Sequence, residues 1–170
     1  NEGKSPAIEQ RTLLSTVGCI GIGLHSGKSV EMVLHPAEPD TGIILRRTDI
    51  ANGGSIIPLN WKHIVNSHLA TTVGNEHGVT VSTVEHLMAA LAGCQIDNAI
   101  VEVDGPELPI MDGSAGPFVT IIEQVGTRNQ NAARRMIRVD KRISVGDHEN
   151  ILTLTPARTF SLSFEIDFDS

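Results

Sequence analysis

Cysteine is scarce in this sequence, and the two that occur, Cys19 and Cys94, lack the C-x-x-C spacing of a zinc or redox site. That excludes a disulfide framework and reads as reduced structural thiols. No apolar run approaches the roughly 18–20 residues that a membrane span needs. Residues 1–10 carry charges and Pro6 where a signal peptide needs an apolar core. A cytoplasmic location is expected. Basic residues are in deficit: 13 Lys and Arg against 20 Asp and Glu give a formal net charge of -7, which leaves no basic footprint for nucleic acid. Tyrosine is absent, tryptophan occurs once, and three of the four phenylalanines crowd at the C-terminal end. What remains is enough for a core, because 40% apolar residues in a chain of 170 suit one ordinary domain or two small ones.

Alternation and turn residues mark the first elements. Ile20, Ile22 and Leu24 fall on one side of a strand, Ser26-Gly27 makes a hairpin turn, and Val30, Met32 and Leu34 return until Pro36 and Pro39 end the strand. Short apolar strands are expected at Ile43-Ile44-Leu45, Ile56 to Leu59 and around Val79 and Val81, with Asn52-Gly53-Gly54-Ser55 as a loop. Val84, Leu87, Met88 and Leu91 recur at i, i+3, i+4 and i+7, the spacing of a helix, and Gly93 stands where a left-handed C-cap would. Asn98 to Val103 reads as a strand, and Pro117 opens a second helix that runs to Val125. The mixture is α+β.

Residues 126–133 turn polar and small, the composition of a linker, so the first domain is expected at 1–127 and a second unit at 134–170. Three strands are expected there, around Met136 to Val145, Ile151 to Thr155 and Phe160 to Phe168. In the last, Phe160, Leu162, Phe164, Ile166 and Phe168 alternate with polar residues, giving one heavily apolar face. Such a face needs cover, which implies the N-terminal part of a longer protein.

Chemistry concentrates at Ser82-Thr83-Val84-Glu85-His86-Leu87. Glu85 and His86 lie off the apolar stripe near the helix start, where an imidazole can ligate zinc and a neighbouring carboxylate can take a proton from water. A second reading stands beside it. Ser82 and Glu85 also form S-x-x-E, a capping box in which Glu85 only holds the helix start, and one histidine does not make a zinc site.

The stretch 81–87 (V-S-T-V-E-H-L), with Met111-Asp112-Gly113-Ser114-Ala115-Gly116-Pro117-Phe118, closely resembles the UDP-3-O-acyl-N-acetylglucosamine deacetylases, zinc enzymes of lipid A synthesis in Gram-negative bacteria. The likeness extends in order through Gln10-Arg11-Thr12-Leu13, residues 21–28 (G-I-G-L-H-S-G-K), Arg46-Arg47-Thr48-Asp49, Asn75-Glu76-His77, Ile96-Asp97-Asn98, Pro106-Glu107-Leu108-Pro109-Ile110 and Ser161-Leu162 with Ile166-Asp167-Phe168. The resemblance implies two domains, each a two-layer sandwich of helices on a mostly antiparallel sheet (the ribosomal protein S5 domain 2-like arrangement). This chain would hold one complete domain and the first strands of a second. It implies Glu85 as general base, His86 as a metal ligand, Asp112 as a supporting aspartate, and His25 as a polar active-site residue. Leu69 and Thr71 fall where the family lines its acyl-chain passage, although a plain core leucine fits Leu69 equally well. The implied cofactor is Zn2+, with Fe2+ as an alternative that accepts the same ligands. The substrate would be a UDP-linked acylated glucosamine. The remaining ligands, a His and an Asp on an H-K-x-x-D helix, and a second catalytic His would come from the missing C-terminal half. The implied reaction is deacetylation at the committed step of lipid A biosynthesis. The alternative is a non-catalytic domain or fragment that needs the other half, and on its own the chain is expected to bind zinc weakly and to be inactive.

Other candidates carry less. His63, His68 and His77 have no common metal spacing and read as solvated residues. The run Arg134, Arg135, Arg138, Lys141, Arg142 could meet a nucleotide diphosphate or, by peripheral contact, the anionic inner membrane; a solvated strand face is the plainer reading. The glycines of 18–23 do not follow a strand and open a helix, which excludes a dinucleotide site.

Overall fold

The structure, a computed structural model, describes residues 8–51, 54–147 and 150–166. In chain order its elements are β1 (Glu9–Leu13), β2 (Val17–Ile22), β3 (Ser29–Pro36), β4 (Ile43–Arg47), β5 (Ile56–Pro58), β6 (Ile64–Asn66), β7 (Thr72–Gly74), β8 (Thr80–Val81), α1 (Glu85–Gly93), β9 (Ala99–Val103), α2 (Gly116–Val125), β10 (Thr127–Ala133), β11 (Ile143–Gly146) and β12 (Ile151–Leu154). The chain divides into two compact units after Arg134.

The first unit is α+β, as expected. Its main sheet has the order β2-β3-β9-β4-β5 and is antiparallel except where β4 runs parallel to β9. Alternation decides which side is covered. Val30, Met32 and Leu34 on β3 and Val101 and Val103 on β9 are buried with Leu87, Ala90 and Leu91 of α1 and Phe118 and Ile122 of α2 in one core. Burying each such side chain contributes roughly 1.5–3 kcal/mol. Ile20 and Ile22 point the other way, opposite Glu31 and Ser29, and stay exposed, so the two apolar sets of the hairpin do not share a face.

Two local expectations need correction. Gly93 is the last residue of α1 rather than its left-handed cap; that conformation falls on Gln95 (φ 59°), where the N–H groups of Cys94, Gln95 and Ile96 close the helix end on Ala90, Ala92 and Leu91 carbonyls. The polar stretch expected as a linker is β10, paired antiparallel with β1. Of its polar residues Gln130 is buried while Arg128, Asn129 and Asn131 are exposed: the Asn98 side-chain amide donates to Gln10 and Gln130 at 2.8 and 2.7 Å, and Gln130 donates to the Ala37 carbonyl. At Gln130 alone the polarity serves a buried amide network linking β1, β10 and the start of β9, which composition cannot distinguish from the solvent exposure of its neighbours.

The second unit contains the antiparallel hairpin β11–β12, whose residues are all exposed. The strand expected from Phe160 is not formed over residues 160–166, and Phe168 lies outside the described residues. Alternation supplies a face but not a partner, and a strand is defined by its ladder of hydrogen bonds. Among the described residues, Phe160 is 94% and Phe164 79% exposed.

Candidate active site

The two readings of Glu85 separate once the start of α1 is seen. The N-cap is Val84, with no side-chain cap bond, and the Ser82 hydroxyl donates to the Pro106 carbonyl at 3.3 Å. No capping box is made. Glu85 instead accepts a bond at 3.1 Å from the backbone N–H of Thr71, at the entry to β7. The carboxylate is thereby tied to the segment before β7, one residue ahead of His86 in the first turn of α1, and both residues are half-buried.

Asp112 sits in the turn that opens α2, where its carboxylate accepts the backbone N–H and the hydroxyl of Ser114 at 2.9 and 2.8 Å. The Ser114 bonds hold the Asp112 carboxyl below its usual range. Asp112 and Met111 also line an open, mainly apolar hollow of about 670 Å³ with Ile20, Ile22, Leu24 and Pro117. The exposed face of β2 is therefore one wall of a recess beside the candidate site.

His25 projects from the β2–β3 turn and is exposed. Leu69 is 83% exposed with a left-handed backbone (φ 66°), so it is not a core leucine. Thr71 meets the site through its backbone bond to Glu85. Left-handed non-glycine backbone recurs around these residues: Leu69, Thr83 (φ 57°) and Met111 (φ 55°) precede Thr71, Glu85 and Asp112 by two residues or one. Strained positions of this kind persist where surrounding structure over-determines them, as at active sites.

Sequence reasoning gave Glu107 no role. It is 2% exposed and accepts bonds from the His25 and Ser26 N–H groups and the Thr83 hydroxyl. Its sequence signals were a place in the family-like stretch 106–110 and a lone carboxylate beside apolar Leu108 and Ile110.

Metal donors are incomplete. Among the described residues no group of three or more His, Cys, Asp or Glu could hold a metal ion, and His86 is one nitrogen donor of the kind zinc accepts. His63 bonds Asn60, His77 pairs with Glu76, and neither joins the site. Within the basic run, Arg134 is bound to Asp97 and the Gln95 carbonyl, and Arg138 pairs with Asp140, so the run is not a set of free cations.

The sequence model of the UDP-3-O-acyl N-acetylglycosamine deacetylase (LpxC) family matches residues 10–170. The chain belongs to this family. It is 50% identical over 162 residues to the UDP-3-O-acyl-N-acetylglucosamine deacetylase of Acidithiobacillus ferrooxidans, covering 95% of this chain and 53% of that protein. The deacetylase of the same name from Myxococcus xanthus is 51% identical over 160 residues (94% and 50%), and that of Vibrio cholerae 48% over 162 (95% and 53%). The chain thus spans about half the length of these relatives. No helix among the described residues is long and apolar enough to cross a membrane.

Proposed function

We propose that this LpxC-family chain contributes one half of the active site of a zinc-dependent deacetylase that releases acetate from UDP-3-O-(3-hydroxyacyl)-N-acetylglucosamine in lipid A biosynthesis. The observation that carries this reading is the release of Glu85 from helix capping: its carboxylate is held by Thr71 next to His86. Glu85 is the general base, placed to take a proton from the attacking water. His86 is a metal ligand, and the others come from the part of the family's length that this chain does not span. Zinc, when bound, polarises the acetamide carbonyl and lowers the pKa of the attacking water.

Asp112, held ionised by Ser114, supports the charge of the site without binding metal. His25 lines its polar edge. Leu69 and Thr71 flank the substrate, and the apolar hollow beside Asp112 supplies surface for an acylated sugar. Residues 134–170 belong to the first strands of a second α+β domain, and the enzyme works in the cytoplasm with peripheral contact to the inner membrane. Alone, the chain has too few donors for tight zinc binding and is inactive.

Glu85→Gln in the full-length enzyme tests the reading. Turnover should fall by about 10²–10⁴-fold, the usual contribution of a positioned base, while zinc, measured by elemental analysis that also discriminates iron, stays bound. Near-normal turnover would return Glu85 to a structural role.

A further inference from the structure

We infer that Glu107 is a positioning residue of this active site, a buried carboxylate that fixes the start of α1, and with it Glu85 and His86, against the turn carrying His25. The inference rests on the deacetylase reading for what the site does, but its geometry is independent of it. Oε1 of Glu107 accepts from the His25 N–H at 2.9 Å and the Thr83 hydroxyl at 3.1 Å, and Oε2 accepts from the Ser26 N–H at 3.0 Å. These bonds join three segments remote in sequence: the β2–β3 turn, the residue before the N-cap of α1, and the loop 106–110 that runs on to Asp112. The oxygens point into backbone and hydroxyl donors, so Glu107 is not itself a spare metal ligand.

Thr83 shows why the clamp is needed. It is β-branched, yet it holds φ at 57°, in a region such residues rarely enter. With no side-chain cap on α1, the direction in which the helix departs depends on this residue and on its neighbour Ser82, whose N–H bonds the Pro106 carbonyl and whose carbonyl accepts from Leu108. The close fit extends to Gly23, where an added Cβ would overlap the Ser26 hydroxyl and the Glu107 carboxylate. Burial alone would raise the Glu107 pKa; the bonds from His25, Ser26 and Thr83 outweigh that and hold it below its ordinary value, so the group is a carboxylate in place.

Two variants of the full-length enzyme test the inference, read by kcat and KM at full zinc occupancy and by amide hydrogen exchange of segments 23–28 and 82–88. Glu107→Gln is nearly isosteric but turns one oxygen into a donor facing donors. Thr83→Val removes only the hydroxyl and leaves the two backbone bonds. Glu107→Gln is expected to lower kcat by about 10- to 100-fold, the usual effect of losing a supporting group behind a metal site, with KM changed less and exchange accelerated in both segments. Thr83→Val is expected to change kcat in the same direction by a smaller factor and to accelerate 82–88 alone. Unchanged kcat with only a lower Tm in Glu107→Gln, or unchanged exchange at 82–88 in both variants, would overturn the inference. If the wild-type enzyme shows no deacetylase activity, the proposed function fails, and the exchange of the two segments alone decides the role of Glu107.

Discussion

The β1–β10 unit and the β11–β12 hairpin are built from similar local material, yet only one of them has an interior. In the first, alternate residues of β3 and β9 meet two helices and disappear from solvent, and even the polar Asn98 is buried with partners for its amide. In the second, Ile143, Val145, Ile151, Leu152 and Leu154 are all exposed although the ladder between the strands is complete. Backbone pairing organises a ribbon, but a second layer is what removes apolar area from water. The proposed site residues Glu85 and His86 stand on the layered unit, where the start of α1 is anchored to its core.

The contrast is sharpest in amide exchange. The amides of β3 and β9 in this chain should exchange on the order of a thousandfold or more slower than those of β11 and β12, because they open only with the core. Comparable rates by NMR or mass spectrometry would break the distinction.

Substitution should separate the regions next. Leu87→Ala, at a fully buried position, should cost about 2–5 kcal/mol in urea unfolding, while Leu152→Ala, 60% exposed, should stay within about 0.5 kcal/mol. Equal losses would mean that the hairpin is covered after all. Asn98→Ala should cost roughly 1–3 kcal/mol by stranding the Gln130 amide oxygen and the Gly42 N–H.

The smallest expected effect is an acid dependence confined to the layered unit. Glu107 has its pKa lowered in the fold from an ordinary 4.5, so its stabilisation is complete above that value and is lost as pH falls through the folded pKa. Wild type should therefore lose stability more steeply than Glu107→Gln below pH 4.5. Parallel acid slopes would show that the carboxylate contributes nothing through its ionised form.

The parts of the fold legible in the sequence were those whose signal is local. The period of Val84, Leu87 and Leu91, Pro117 at the first turn of α2, and the strands β3, β4, β5 and β9 declare themselves within a few residues. Glu85, His86 and Asp112 were proposed from motif and resemblance, and the helix start and the turn that hold them were legible in the same stretches. What stayed hidden depends on distant partners. The Gln130 amide reaches Asn98 across 32 positions, Glu107 reaches His25 across 82, and both look solvated until the chain is folded. The stretch from Phe160 failed for the same reason in reverse, since its pattern is correct for a strand and the neighbour it needs is not among the described residues.

The parallel pairing of β4 with β9 sets an order of events during synthesis on the ribosome. Ribbons β2–β3 and β4–β5 each join neighbours in sequence and can close as soon as they emerge. They share no ladder with one another, because β9 lies between them and bonds to both β3 and β4. Everything between Arg47 and Ala99, including β7 and α1, is made before that central strand arrives. The nascent sheet thus remains two separate ribbons until Glu85 and His86 have left the ribosome, and the insertion of β9 joins the sheet and docks the helix in a single late step.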